Sequence, residues 1–310
     1  MHYFCTYFDS NFLYRGLALY KSLRENAGDF VLWILCFDDV TFKLLNALNL
    51  PGIRTICLAD FETACPSLVE VKAGRSTIEY YFTTTPFLPL YILNNHPETD
   101  RLIYLDADLF FYDSVQSVYN EWSDGSVYIV PHRFHPDLRE RGELVGGRYN
   151  VGLVGFRNDS TGHACLKRWG AQCLEWCFLR NEPGRLGDQK YLDEWPERYP
   201  GVVESKNIGI GVGGWNIWDY RIKMRGGRIF IEDRPLIMLH LNFVNLLGPH
   251  LFAACPKWYL RTVCYPYAVA LGWAIGQVKR EFPEFRPRYE RLSALMWIRH
   301  AIKGGLIFIR

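Results

Sequence analysis

The chain predicts an α/β protein built on a Rossmann-like, mixed but mostly parallel sheet, followed by a C-terminal helical extension. Three observations carry this expectation. Residues 1–60 alternate β-rich runs with segments of helical periodicity. A strand-like run at 101–112, "RLIYLDADLFFY", is interrupted by two aspartates. Beyond about residue 250 the alternation gives way to helix-like, basic and aromatic sequence. At 310 residues, 49% hydrophobic and 22% charged, the chain has ample material for a core and does not read as disordered. The expected division is a nucleotide-type domain over 1–250 and an extension over 251–310.

Taken in order, "HYFCTYF" opens as a strand and "DSNFLYRGLALYKSLREN" follows with apolar residues at helical spacing. "FVLWILCFDD" reads as a second strand ending in acids. "VTFKLLNALNL" is a helix stopped by Pro51 and Gly52, and "IRTICLAD" is a third strand. Such alternation implies parallel strands with crossover helices, whose ligand crevice lies beyond the strands' carboxyl ends. Asp9, Asp38, Asp39 and Asp60 are therefore expected to face the site. "IEYYFTTTPFLPLYILNN" reads as a helix broken near Pro86 and Pro89. "SVYIV" and "RYNVGLVGFRND" are strands, the latter with Asn150 at its entry. "CLKRWGAQCLEWCFLR" is a helix and "GDQKYLDEW" opens another. After a glycine-rich stretch at 209–214, "RPLIMLHLNFVN" is a late strand.

The net charge of +2 hides an uneven distribution. From Lys279 to Arg310 there are eight Lys/Arg and three Glu, an excess of +5, so the remainder carries −3. A basic, aromatic tail on a mildly acidic body suggests contact with an anionic surface. Nucleic acid is not that surface, since no recognition-helix, RNP-type or zinc-finger pattern occurs. Nine cysteines, odd in number and partly inside apolar runs, read as reduced thiols of a cytoplasmic protein. Cys173 and Cys177 lack the further ligands of a zinc site. "MHYFCTYFDS" has no signal-peptide character. The uncharged run from Thr262 to Val278 is marginal as a membrane span and reads as a buried or membrane-surface helix.

The two aspartates carry the chemistry. If the strand continues through them, Asp106 and Asp108 project to one side and Ala107 to the other. Neighbouring carboxylates in a half-buried place repel and lose hydration, unless a cation sits between them. Oxygen ligands at a strand's carboxyl end suit Mg²⁺ or Mn²⁺, which keep positions open for phosphates. The alternative is that both acids are merely solvated at a strand end.

With these residues in view, the chain resembles GT-A fold glycosyltransferases, and in particular glycosyltransferase family 8. The supporting segments are "CTYFDSNF", "YLDADLFFY", "NVGLVGF", "GDQKYL", "GWNIWDY" and "HLNF", in that order over roughly residues 1–250. The resemblance implies that Thr6, Tyr7, Asp9 and Asn11 hold the nucleotide, and that Asp106 and Ala107 meet the donor. Asp106, Asp108 and His240 would ligate the ion; an imidazole among carboxylates leans toward Mn²⁺. Asn150, Asp188 and Gln189 would contact the transferred sugar, with Asp188 and Gln189 as the catalytic pair. Trp215 and Asn216 would flank the donor, and Arg75 or Lys72 would reach the nucleotide or diphosphate. Asp9 and Asp188 each have a second reading, as caps of the helices they precede. Three departures from the family stand out. Gly214 replaces the proline before Trp215, Leu241-Asn242-Phe243 replaces the Phe-x-Gly that follows the late histidine, and the nearest basic residue after His240 is Lys257.

The implied function is metal-dependent transfer of a hexose from a nucleoside-diphosphate sugar, a UDP-sugar by family expectation, to a glycan or lipid-linked acceptor with retained anomeric configuration. Asp188 would stabilise an oxocarbenium-like state. The alternatives are a sugar-1-phosphate nucleotidyltransferase, which should show a Gly- and Lys/Arg-rich loop after the first strand where this chain has "FDSNFLYRG", and a non-catalytic nucleotide-sugar-binding protein. The tail, with Trp258, Tyr259, Trp273 and Trp297 among basic residues, reads either as a peripheral membrane contact or as a cap over the sheet.

Overall fold

A computed structural model of the protein describes residues 1–180, 182, 184–253, 261–303 and 305–309. Lys257, Trp258, Tyr259 and Cys255 lie outside the described residues.

The first half follows the expected alternation. Strand β1 (His2–Phe8) leads into α1 (Leu13–Asn26), β2 (Phe30–Cys36), α2 (Asp39–Leu48) and β3 (Ile53–Cys57). The Asp38 side chain caps α2 by accepting from Thr41 N–H at 2.7 Å, and Asn49 ends that helix in the left-handed region. The third strand is shorter than the sequence implied. It stops at Cys57, and Leu58–Ala64 is already helix α3, so Asp60 sits on a helix and not at a strand end. Then come α4 (Pro66–Lys72), α5 (Thr77–Thr84) and α6 (Phe87–Asn95). The chain breaks between α5 and α6 at Thr85–Pro86. Pro89 falls in the first turn of α6, where a missing N–H costs nothing, and so does not break it.

Strand β4 (Arg101–Leu105) precedes β5 (Leu109–Phe111), α7 (Gln116–Trp122), β6 (Val127–Pro131), α8 (Arg139–Gly146), β7 (Tyr149–Arg157) and α9 (Ser160–Glu175). "GDQKYLDEW" forms a 3₁₀ turn, Gln189–Glu194, before the short α10 (Trp195–Arg198) and β8 (Val202–Glu204). Short strands follow: β9 (Val212–Gly213), β10 (Ile222–Arg225), β11 (Arg228–Ile231), β12 (Arg234–Pro235), β13 (Met238–His240), β14 (Asn245–Gly248) and β15 (Leu251–Ala253). The chain closes with α11 (Arg261–Glu281), α12 (Ala294–Lys303) and β16 (Leu306–Phe308). The single late strand of the sequence reading is thus two pieces, β12 and β13, in different sheets.

The main sheet has the order β3-β2-β1-β4-β7-β6-β8. Strands β3, β2, β1 and β4 are mutually parallel, β7 is antiparallel to both β4 and β6, and β8 is parallel to β6. This is the mixed, mostly parallel sheet the alternation implied. Alternate side chains of each strand enter opposite cores. Phe4, Leu32, Ile34, Ile103 and Leu105 pack with α1 and α11, whereas Cys5, Trp33, Leu35, Leu102 and Tyr104 pack with α6 and α9. Helix α11, which holds most of the uncharged run, buries Val263, Tyr267, Leu271, Ala274 and Val278 in the first of these cores. Among the described residues no helix is long and apolar enough to cross a membrane. The extension is not purely helical either, because β16 returns to pair with β15, which pairs with β14.

Candidate active site

The D-x-D element lies at a junction between sheets. Residues 106–108 are not extended strand: Leu109 N–H donates to Asp106 carbonyl at 3.1 Å, closing a tight turn between β4 and β5. The two carboxylates converge because the chain turns, which replaces the pleat argument. Strand β4 belongs to the main sheet, while β5 joins a separate three-stranded sheet in the order β5-β13-β9. Its antiparallel register sets His240 opposite Leu109, and Leu241 N–H donates to Asp108 carbonyl at 2.9 Å. A residue 132 positions downstream is thereby placed beside Asp108.

His240 Nε2 lies 3.0 Å from Asp108 Oδ1 and 3.6 Å from Asp106 Oδ2. One ligand atom from each of the three residues falls within 4.8 Å of the others, and among the described residues no other His, Cys, Asp and Glu group does so. The electrostatics follow from crowding. Burial pushes the Asp106 carboxyl up, with the Asp108 charge adding, while His240 and the Tyr104 hydroxyl (2.7 Å) oppose. Burial acts the same way on Asp108, but the charge and hydrogen bond of His240, with Arg15 further off, outweigh it and hold that carboxyl low. Burial alone would lower His240; the two carboxylates raise it.

The donor set fits a divalent cation, and the surroundings of His240 show why. Asn150 Oδ1 accepts from Gly152 N–H at 3.0 Å, which fixes the amide with its oxygen toward His240 Nδ1 at 3.2 Å. Nδ1 therefore carries the hydrogen, and Nε2 is the atom presented to the carboxylates. A Cβ at Gly152 would sit 2.5 Å from Asn150 Oδ1 and 2.8 Å from His240 Nδ1, so this position admits only glycine without displacing the ring. A glycine inside the apolar strand "NVGLVGF" was the signal for such a close approach. Asp106, Asp108 and His240 would hold the ion.

Asn150 also joins this centre to the sugar-contact candidates. Its Nδ2 donates to Gln189 Oε1 at 3.0 Å, and Gln189 Nε2 donates to Gly146 carbonyl at 2.6 Å. Asp188 is 5% exposed, and its carboxyl is pushed up to about 7 by burial, then by the Asp106 charge, against a hydrogen bond from Thr85. Thr85 Oγ1 is in turn 2.9 Å from Tyr7 Oη. A buried polar chain thus runs from Asp188 toward Tyr7, whose ring lies 5.6 Å from that of Tyr104.

These groups border a cleft of about 1350 Å³ lined by Tyr7, Asp9, Asn11, Tyr81, Phe82, Asp106, Ala107, Asp108 and His240, among others. Asp9 Oδ1 accepts from Asn11 N–H at 3.0 Å and Phe12 N–H at 3.2 Å, and Oδ2 accepts from Tyr81 Oη at 3.2 Å, so it both braces the turn into α1 and faces the cleft. Asn11 Oδ1 accepts from Arg288 N–H.

Other candidates are placed elsewhere. Thr6 is buried in mid-strand, with its hydroxyl unpartnered among the described residues. Arg75 does not line the cleft; it stacks on Phe178 at 4.0 Å and donates to Leu174 carbonyl, and Lys72 pairs with Glu62. Asp38 and Asp39 are likewise absent from the cleft lining, Asp38 being committed to capping, and Asp60 borders a separate small hollow. Asn216 is 1% exposed and spends its amide on His132 carbonyl (2.6 Å), Gly211 carbonyl and Gly213 N–H, so it braces its own loop. Trp215 is half-buried, donates to His132 carbonyl, and stands nearly perpendicular to the His240 ring at 5.4 Å. Sequence reading assigned no role to Tyr81, Arg15 or the segment around Arg288, nor to Tyr104, although Tyr104 opens the "YLDADLFFY" segment.

No protein-family model matches the chain. It is 34% identical over 251 residues to YfnF, an uncharacterized protein of Bacillus subtilis strain 168, covering 79% of this chain and 82% of YfnF. To YfnD of the same organism, also uncharacterized, it is 28% identical over 293 residues, 91% of this chain and 93% of YfnD. Among solved structures it is similar to galactosyltransferase LgtC in complex with donor and acceptor sugar analogues, with TM-score 0.55 and 14% identity over 96% of this chain and 99% of that one. The glycosyltransferase GlyE of Streptococcus pneumoniae TIGR4 matches with TM-score 0.50 and 13% identity, over 93% of this chain and 66% of that one. These likenesses establish the fold as GT-A.

Proposed function

The chain belongs to the same family as YfnF of Bacillus subtilis, and from its GT-A fold we propose that it is a metal-dependent glycosyltransferase. In this reading it moves a hexose from a nucleoside-diphosphate sugar, a UDP-sugar with Mn²⁺ as the preferred ion, to a hydroxyl of a glycan or lipid-linked acceptor, with retention. The observation that carries the reading is the convergence of Asp106, Asp108 and His240 on one point of a large cleft. A bound divalent ion supplies positive charge for a leaving diphosphate.

The chain's own residues do the rest. Tyr7 and Asp9 offer a ring and carboxylate oxygens to base and ribose. Asn150 orients His240 and Gln189 together, so that ion and sugar are registered against each other. Asp188, at the buried end of the polar chain, provides negative charge for an oxocarbenium-like carbon. The catalytic work is assigned to residues 1–250, with residues 251–310 as an extension of which Arg288, Tyr289, Glu290 and Arg291 line the cleft. The test is a thermal-shift screen of nucleotide sugars with and without Mn²⁺. A rise in melting temperature that needs both ligands is expected, since binding stabilises the folded state by mass action. A melting temperature unmoved by any nucleotide sugar in Mn²⁺ would sink the reading.

The extension also supports a peripheral, cytoplasmic-face membrane location. On α12, Leu295, Met296, Trp297, Ile298 and Ile302 are exposed, with Arg299 among them and the exposed Phe308 beyond. Exposed apolar side chains on a helix that also carries a cation suit an anionic lipid surface. Co-sedimentation with anionic phospholipid vesicles is expected to disappear when residues 280–310 are deleted; undiminished binding would rule the helix out as the anchor.

A further inference from the structure

The family resemblance calls for a basic residue soon after the late histidine, and residues 241–253 contain no Lys or Arg. The cleft is nevertheless not without cations. Residues 288–291, some fifty positions further on, line its wall. Arg288 N–H donates to Asn11 Oδ1 at 3.0 Å, Glu290 N–H donates to Leu246 carbonyl at 2.9 Å, and Phe285 packs edge-on against Tyr14 at 5.9 Å. The segment is thus tied both to the β1–α1 turn and to β14.

Three arginines are among the residues that line the cleft: Arg15, Arg288 and Arg291. Arg15 is 6% exposed and already engaged, donating to the Glu290 carboxylate and to Val244 carbonyl. Arg288 and Arg291 are exposed, and among the described residues neither guanidinium has an ion-pair or hydrogen-bond partner. The lining acids are Asp9, Asp106, Asp108 and Glu290. Four carboxylates against three guanidiniums leave one net negative charge, which a divalent ion converts to one net positive. Such a cleft becomes a better site for a dianion or trianion once the ion is in place.

We infer that Arg288 and Arg291 receive the diphosphate, taking the place of the missing basic residue after His240; this rests on the glycosyltransferase reading. A guanidinium presents paired N–H donors that match phosphate oxygens, and charge-assisted bonds of this kind are the strong ones. The C-terminal extension thereby becomes part of the donor site and not only a cap on the sheet.

The test is isothermal titration of the full-length protein with inorganic pyrophosphate in saturating Mn²⁺, beside a titration with Mn²⁺ alone. Wild type is expected to bind pyrophosphate only with Mn²⁺. Arg288→Ala and Arg291→Ala should each weaken it by about tenfold, and the double variant by on the order of a hundredfold, with Mn²⁺ affinity unchanged. The Arg288→Lys/Arg291→Lys pair should keep part of the affinity. Double-Ala binding within twofold of wild type would overturn the inference while leaving the enzyme reading intact. A Lys pair as weak as the Ala pair with Mn²⁺ affinity also lost would overturn it too, since the residues would then be structural. Wild type that ignores pyrophosphate in Mn²⁺ would remove both.

Discussion

Asp108→Ala is expected to bind Mn²⁺ at least a hundredfold more weakly than wild type and to lose sugar transfer by about three orders of magnitude or more, with the fold intact. Outer partners of metal ligands already cost roughly 10–100-fold when removed, and Asp108 is one of the three side chains that meet at the centre. A thousandfold rate loss corresponds to about 4 kcal/mol of transition-state stabilisation, a reasonable share for charge placed against a leaving diphosphate. The fold should survive because the backbone of Asp108, not its side chain, makes the junction bond to Leu241. His240 would lose its 3.0 Å partner, so its pKa should fall toward that of an ordinary buried imidazole. Metal titration by calorimetry and initial rates in saturating Mn²⁺ measure both effects. Full transfer activity in the purified variant would remove the centre from the mechanism.

The second large effect depends on pH and centres on Asp188. With its carboxyl at about 7 in the folded protein against 3.8 ordinarily, burial favours the protonated form. The displacement corresponds to roughly 4 kcal/mol between the two protonation states. Because the folded pKa is the higher one, the associated stability is fully present below about pH 4 and is lost as pH rises through about 7. In EDTA, Asp188→Asn should therefore match wild type near pH 4 and become the more stable of the two above pH 7, by up to about 4 kcal/mol. In Mn²⁺ with a turned-over donor the same variant should be slower, by about a hundredfold, for want of the negative charge at the sugar carbon. Denaturation midpoints of the two proteins that run parallel from pH 4 to pH 8 would refute the buried-acid account.

How much of this was legible beforehand varies by residue. The strand–helix alternation over β1 to β3 was readable because periods of 2 and 3.6 are local properties of the chain. The pair Asp106 and Asp108 was noticeable because charge inside an apolar run is costly. The reason they converge was not readable, since a two-residue spacing fits both a pleat and a tight turn, and only the split between β4 and β5 distinguishes them. Arg75 is the opposite case. Its position in sequence suited a nucleotide contact, but its guanidinium is engaged by the Phe178 ring and Leu174 carbonyl and it is not among the cleft-lining residues. Asn216 likewise shares a loop with the site yet satisfies its amide on backbone groups, which a buried polar side chain must do.

By itself the sequence determined the α/β class, the strand–helix alternation over β1 to β3 and the pair of acids set inside an apolar run. The family resemblance had put His240 with the two acids; the tertiary structure alone decided that the β5–β13 pairing brings it there, that Asn150 sets its tautomer, and that Arg288 and Arg291 reach a cleft begun at residue 7. Periodicity and burial preference act over a few residues, whereas these meetings depend on which strand edges pair and which apolar faces are covered. That choice is made by the packed molecule as a whole and leaves no local mark in the chain.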